Sequence, residues 1–122
     1  FFVAPEKIQM SDDILSYLDK RNVWYTKVKN IEEILPEVDV VYQTRIDKSR
    51  IADLPDADEI IRKQFITKDH LSKMKSNAII MHPLPRMNEI STDVDTDKRA
   101  AYFRQARNGI YIRMALLVSV LS

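Results

Sequence analysis

Ala78-Ile79-Ile80-Met81-His82-Pro83-Leu84-Pro85-Arg86 is the stretch that sets the fold class. Its opening residues are apolar without alternation, the mark of a strand covered on both faces, so the residues that follow leave the carboxyl end of a sheet. In open α/β folds that rim is where ligands bind. Pro83 and Pro85 flank one leucine, which removes two backbone donors and fixes two φ angles. The resulting turn is stiff and offers carbonyl oxygens, suited to accept from a ligand's N–H groups. A plain Pro-x-Pro turn has the same letters.

Upstream, β-forming runs alternate with helical spacings. Residues 1–4 read as a strand closed by Pro5, and Ser11 stands where it can cap a helix carrying Ile14, Leu15 and Leu18. Asn22 tolerates the left-handed geometry of a helix end, and Val23-Trp24-Tyr25-Thr26 follows as a second strand. Asn30 with Glu33 forms a capping-box pattern opening a short helix that Pro36 stops, and residues 38–44 make a third strand. Strand, helix, strand, helix, strand with short connections is the pattern of parallel crossover units, so the class is α/β. Residues 45–63 are charged and aperiodic, a long loop with a helical turn over 58–62. Phe65-Ile66 is a candidate brief strand, and Thr67 caps a helix with Leu71 and Met74. Beyond the polar residues 86–98, Phe103, Ala106, Ile110, Met114, Leu117 and Leu121 share a helical face, so a long amphipathic helix closes the chain. Gly109 inside it costs about 1 kcal/mol against alanine and points to a kink, a break or close packing.

The 122 residues amount to one domain, and residues 1–4 already read as strand, as in a sequence that begins inside a fold. A formal charge of +1 favours neither nucleic acid nor a charged membrane surface, and residues 116–121 are too short an apolar run to span one. Without cysteine there are no disulfides, thiolate nucleophiles or cysteine zinc sites, which is compatible with a cytosolic protein. Gly109 is the single glycine, which excludes Gly-rich dinucleotide and phosphate loops.

Chemistry concentrates in Thr44-Arg45-Ile46-Asp47-Lys48-Ser49-Arg50, which leaves the third strand on the ligand-facing rim. Its cations could hold carboxylate or phosphate, arginine where contact is bidentate; a solvated basic turn is the plain alternative. His70 and His82 cannot make a zinc site without distant carboxylates, and His82 could orient a carbonyl or sit in the core. Asp93-Val94-Asp95-Thr96-Asp97 imitates half a calcium loop but has Lys98 and Arg104 where glycine and glutamate are required, so these residues read as a solvated loop and helix start.

His82-Pro83-Leu84-Pro85-Arg86, Glu89-Ile90, Asp93-Val94-Asp95, Ala101-Tyr102-Phe103-Arg104-Gln105-Ala106 and the run from Asn108-Gly109 through Leu116-Leu117 together resemble the C-terminal part of aspartate carbamoyltransferases, and Tyr42-Gln43-Thr44-Arg45-Ile46 resembles that family's aspartate-contacting strand end, closest to plant and other eukaryotic members. The resemblance implies a Rossmann-like parallel sheet flanked by helices. It also implies carbamoyl transfer from carbamoyl phosphate to the amino group of L-aspartate in de novo pyrimidine synthesis, without metal, cofactor or covalent intermediate, in a homotrimer. On that resemblance Arg45 grips the substrate carboxylate, and Pro83, Leu84 and Pro85 hold the carbamoyl amide across a cis Leu84–Pro85 peptide. Arg50 bridges two domains on closure. Asp47 stands where glutamine is usual and could accept from the substrate ammonium while repelling its carboxylates; Ser49 replaces the usual glutamate. Residues 1–122 then constitute a partial aspartate-binding domain, without its first strand and without the carbamoyl phosphate domain, and residues 99–122 a helical segment that packs on the latter. Such a fragment is expected to be inactive alone, in the cytoplasm or, in a plant, the plastid. An ornithine carbamoyltransferase would carry His-Cys-Leu-Pro instead, and the remaining alternative is a non-catalytic interaction or regulatory domain derived from the enzyme.

Overall fold

The computed structural model describes residues 1–46, 51 and 55–121. β1 (Phe2–Val3) pairs in parallel with β2 (Lys27–Val28), and β3 (Val40–Tyr42) pairs in parallel with β4 (Ile79–Met81). Between them run α1 (Asp12–Asp19), α2 (Ala57–Lys63) and α3 (Lys68–Lys73), and α4 (Tyr102–Leu121) closes the chain. The class is α/β as the alternation predicts. The strands, however, form two separate pairs: β1 and β3 are not hydrogen-bonded to each other, and a cavity of about 530 Å³ lies between them, lined by Phe2, Val3 and Ala4 on one side and Val40, Val41 and Tyr42 on the other.

β4 is the centre of the site-bearing half. Its register with β3 matches Val40 to Ile79, Val41 to Ile80 and Tyr42 to Met81. On its other side the Ile80 N–H donates to Arg99 O at 2.8 Å and the Ala101 N–H to Ile80 O at 2.9 Å. Ala78 and Ile80 are therefore fully enclosed, in one cluster with Leu35, Ile66, Val94 and Tyr102. That double coverage is what the unalternated apolar run requires.

Local signals act where the spacing places them, with some corrections. The Asn30 N–H donates to Glu33 Oε1 at 3.2 Å, and the short 3₁₀ turn it opens buries Ile31. Thr67 uses His70 in the position glutamate usually fills, its N–H donating to Nδ1 at 3.1 Å. Ser11 stands at the N-cap of α1 without a side-chain capping bond, and Asn22 takes φ 54°. The second strand forms at Lys27–Val28, not over residues 23–26. β propensity expresses the fit of a side chain to a half-buried pleated surface, and Trp24, 83% exposed, finds no such surface. Ile66 makes only an isolated bridge to Ile90. α4 continues unbroken through Gly109, where an added Cβ would meet only the Arg113 side chain at 3.5 Å, so neither a break nor close packing accounts for the glycine. Only Tyr102 of α4 is buried, and Ile110, Met114, Leu117 and Leu121 are exposed. Among the described residues no helix is long and apolar enough to cross a membrane.

Candidate active site at the rim of the site-bearing strand pair

Because β3 and β4 run in parallel with Tyr42 opposite Met81, their outgoing loops leave the same rim at the same level, about 5 Å apart. The Gln43 N–H donates to Met81 O at 3.0 Å, extending the pairing one step further. Arg45 lies three residues past Tyr42 and Leu84 three past Met81, so both follow from the same rim at matched register. Arg45 is exposed and also lines the cavity beside β1. Asp47 and Arg50, and Ser49 with them, lie outside the described residues.

The proline turn has the expected cis Leu84–Pro85 peptide, and Leu84 takes φ 44°, a left-handed geometry uncommon for a residue with a branched side chain. Its anchor is a buried polar pair. His82 is 1% exposed and Glu89 4%. The Leu84 N–H donates to His82 Nδ1 at 2.9 Å, so Nδ1 is the bare nitrogen and Nε2 carries the proton it gives to Glu89 Oε1 at 3.1 Å. Glu89 Oε2 accepts from the Met87 N–H at 3.0 Å. Burial pushes the Glu89 carboxylate up, but the backbone N–H groups of Glu89 and Met87 and the His82 ring together hold it below its ordinary value. The Glu89 backbone is fixed in turn, since its carbonyl accepts from the Ile66 N–H at 2.9 Å. Among the described residues no hydrogen bond ends on the carbonyls of Pro83, Leu84 or Pro85, which leaves these acceptors open to a ligand.

Gln105 of α4 ties the two loops together. Its Oε1 accepts from the His82 N–H at 3.0 Å and its Nε2 donates to the Tyr42 hydroxyl at 3.0 Å. Behind the turn, Arg86 Nη2 donates to Asp95 Oδ2 at 2.6 Å while Nη1 reaches Asp95 Oδ1 and, at 3.2 Å, the Tyr102 hydroxyl. Arg86 holds the Asp95 carboxyl below its usual range, and burial pushes the Tyr102 phenol up to about 12. The aspartate-rich segment is a solvated loop only in part: Asp93 and Thr96 are exposed, whereas Asp95 and Asp97 are half-buried and each is engaged by an arginine. Glu89, Gln105, Asp95 and Tyr102 stand in the motifs that carry the resemblance, but their roles do not follow from it, because nothing in the letters shows which polar residues the fold will enclose. The one available signal for Glu89 was its place beside the apolar Ile90, seven residues beyond His82.

The family model for the Asp/Orn binding domain of aspartate/ornithine carbamoyltransferases matches residues 1–120. The chain belongs to this family. The Asp/Orn binding domain seen here is 51% identical over 118 residues to the chloroplastic aspartate carbamoyltransferase 2 of Pisum sativum, covering 96% of this chain and 31% of that protein. Among solved structures it is similar to the catalytic subunit of the M. jannaschii aspartate transcarbamoylase (TM-score 0.86, 34% identity, 94% of this chain and 37% of that one). It is also similar to the Trypanosoma cruzi aspartate transcarbamoylase in complex with N-(phosphonacetyl)-L-aspartic acid (TM-score 0.84, 37% identity, 96% and 38%). The domain therefore spans about a third of the length of these relatives.

Proposed function

We propose that this Asp/Orn binding domain is the aspartate-binding part of an aspartate carbamoyltransferase of de novo pyrimidine synthesis. One observation carries the reading: a cationic loop with Arg45 and an acceptor turn with cis Leu84–Pro85 leave one rim of the β3–β4 pair at matched register. In the proposed reaction L-aspartate, once its ammonium has lost a proton to solvent, attacks the carbonyl carbon of carbamoyl phosphate through its amino nitrogen, the C–O bond to phosphate breaks, and the surplus proton on that nitrogen passes to the departing phosphate. Arg45 grips a substrate carboxylate, and the carbonyls of Pro83, Leu84 and Pro85 accept from the carbamoyl NH₂. Asp47 accepts from the aspartate ammonium, and Arg50 links the domains on closure. With the proline turn stiff and two anionic substrates held in attacking distance, catalysis is mainly positioning and charge stabilisation.

The domain organisation is part of the proposal. The unpaired edges of β1 and β3 facing a slot support a further parallel strand, supplied by the rest of the polypeptide, that would join the pairs into one Rossmann-like sheet. The exposed apolar side of α4 supports packing of this helix on a carbamoyl phosphate domain, in a homotrimer of the cytoplasm or plastid.

The test is carbamoyl transfer by this domain joined to its carbamoyl phosphate domain, with calorimetric titration by N-(phosphonacetyl)-L-aspartate. Arg45→Ala should weaken aspartate binding by about 10- to 100-fold, the loss of a charge-assisted bond. No transfer and no heat from the analogue would leave the non-catalytic domain as the correct reading.

A further inference from the structure

A turn built from Pro83, Leu84 and Pro85 has a single backbone N–H, that of Leu84, and it points back into the protein onto His82 Nδ1 at 2.9 Å. The far side of the same ring is held by Glu89 at 3.1 Å, and the other Glu89 oxygen takes the Met87 N–H at 3.0 Å. One enclosed carboxylate therefore closes a loop of hydrogen bonds around the turn, touching it before and after the prolines. From this we infer that His82 and Glu89 are positioning residues for carbamoyl phosphate: they set the direction of the turn's carbonyls without themselves touching substrate. The inference rests on the proposed role of those carbonyls.

The arrangement works in one tautomer only. With the proton on Nε2, the ring accepts from Leu84 and donates to Glu89; with the proton on Nδ1, two donors would face each other at Leu84 and two acceptors at Glu89. Ionised Glu89, accepting from both the ring and the Met87 N–H, selects the first form. Stiffness given by the prolines fixes the internal shape of the turn, whereas the pair fixes its orientation toward the rim that carries Arg45.

His82→Asn and His82→Gln separate the two sides of the ring. Asparagine places its oxygen near Nδ1 and keeps the bond to Leu84; glutamine reaches toward Nε2 and keeps the bond to Glu89 while losing Leu84. In the enzyme that contains both domains, His82→Gln should raise KM for carbamoyl phosphate about tenfold, the equivalent of one directed hydrogen bond, with His82→Asn within about threefold of the parent. KM for aspartate should move less in both. In Glu89→Gln the amide oxygen keeps the Met87 N–H and its NH₂ faces Nε2, which turns the ring to the Nδ1-protonated form and costs the Leu84 bond, so this variant should resemble His82→Gln. Independently of turnover, the ¹⁵N spectrum of the ring should show a bare Nδ1, and exchange of the Leu84 amide should be fast in His82→Gln and slow in His82→Asn. A protonated Nδ1, or equal amide exchange and equal KM in the two His82 variants of a parent that does transfer the carbamoyl group, would overturn the inference. A parent that shows no transfer yet keeps the amide and tautomer signatures would overturn the proposed function while leaving the clip on the turn in place.

Discussion

Replacing Asp97 by asparagine tests how the strand-to-helix turn before α4 is held. The Asp97 carboxylate accepts from the Arg99 N–H at 2.9 Å, from Arg99 Nε at 2.8 Å and from Nη2 at 2.9 Å. Arg99 in turn donates from Nη1 to Leu71 O at 2.6 Å, near the end of α3, where carbonyls lack helical partners. These contacts, the Arg99 side chain first among them, bring the Asp97 carboxyl from 3.8 to about 2. At about 1.4 kcal/mol per tenfold change in proton affinity, that corresponds to about 2 kcal/mol. The side chain is 23% exposed, and screening by solvent reduces the expected contribution to about 1 kcal/mol. A lowered value means the stabilisation is complete above 3.8 and is lost as pH falls through about 2. Asp97→Asn should therefore be less stable than the parent by about 1 kcal/mol near neutrality, by urea unfolding followed by circular dichroism, and the gap should close on acidification to about 2. A gap of constant size across that range, or none at neutral pH, would show that the charge on Asp97 is not what holds the turn.

Other expectations concern α4. Tyr102→Phe removes a buried hydroxyl shared by Asp95 and Arg86, and should cost about 1 to 2 kcal/mol in the same unfolding measurement. With its phenol raised from 10.0 to about 12, Tyr102 contributes stability fully below 10.0 and loses it as pH rises through about 12, and ultraviolet difference titration should lose a step near 12 in Tyr102→Phe. The chain on its own should self-associate through the exposed Ile110, Met114, Leu117 and Leu121, and Leu117→Glu should weaken association by about tenfold or more in sedimentation velocity. A monodisperse monomer at high concentration would contradict this.

Much of the fold is legible where a local rule and the tertiary setting agree. Asn30 and Thr67 lie at helix starts because their side chains and the third residue beyond compete only for N–H groups nearby. Residues 78–81 read correctly since coverage of both faces leaves its trace in the letters. Val23-Trp24-Tyr25-Thr26 misleads because propensity cannot report that nothing packs there; the pairing partner of β1 starts only where Thr26 O accepts the Phe2 N–H at 2.9 Å. At the site, Leu84 and Arg45 could be singled out from their strand-end positions. Glu89 and Gln105 could not, since their importance comes from what lies across from them in space, seven and 23 residues from His82.

Because β3 is paired directly with β4, the ends of the two strands are tied to each other. The loops that carry Arg45 and Leu84 grow from one hydrogen-bonded leaf, cross-braced by Gln105, while the slot, which Arg45 also lines, runs along the unpaired edge of β3. Widening or narrowing of the slot would swing Arg45 and Leu84 as a single jaw, with the distance across its grip unchanged.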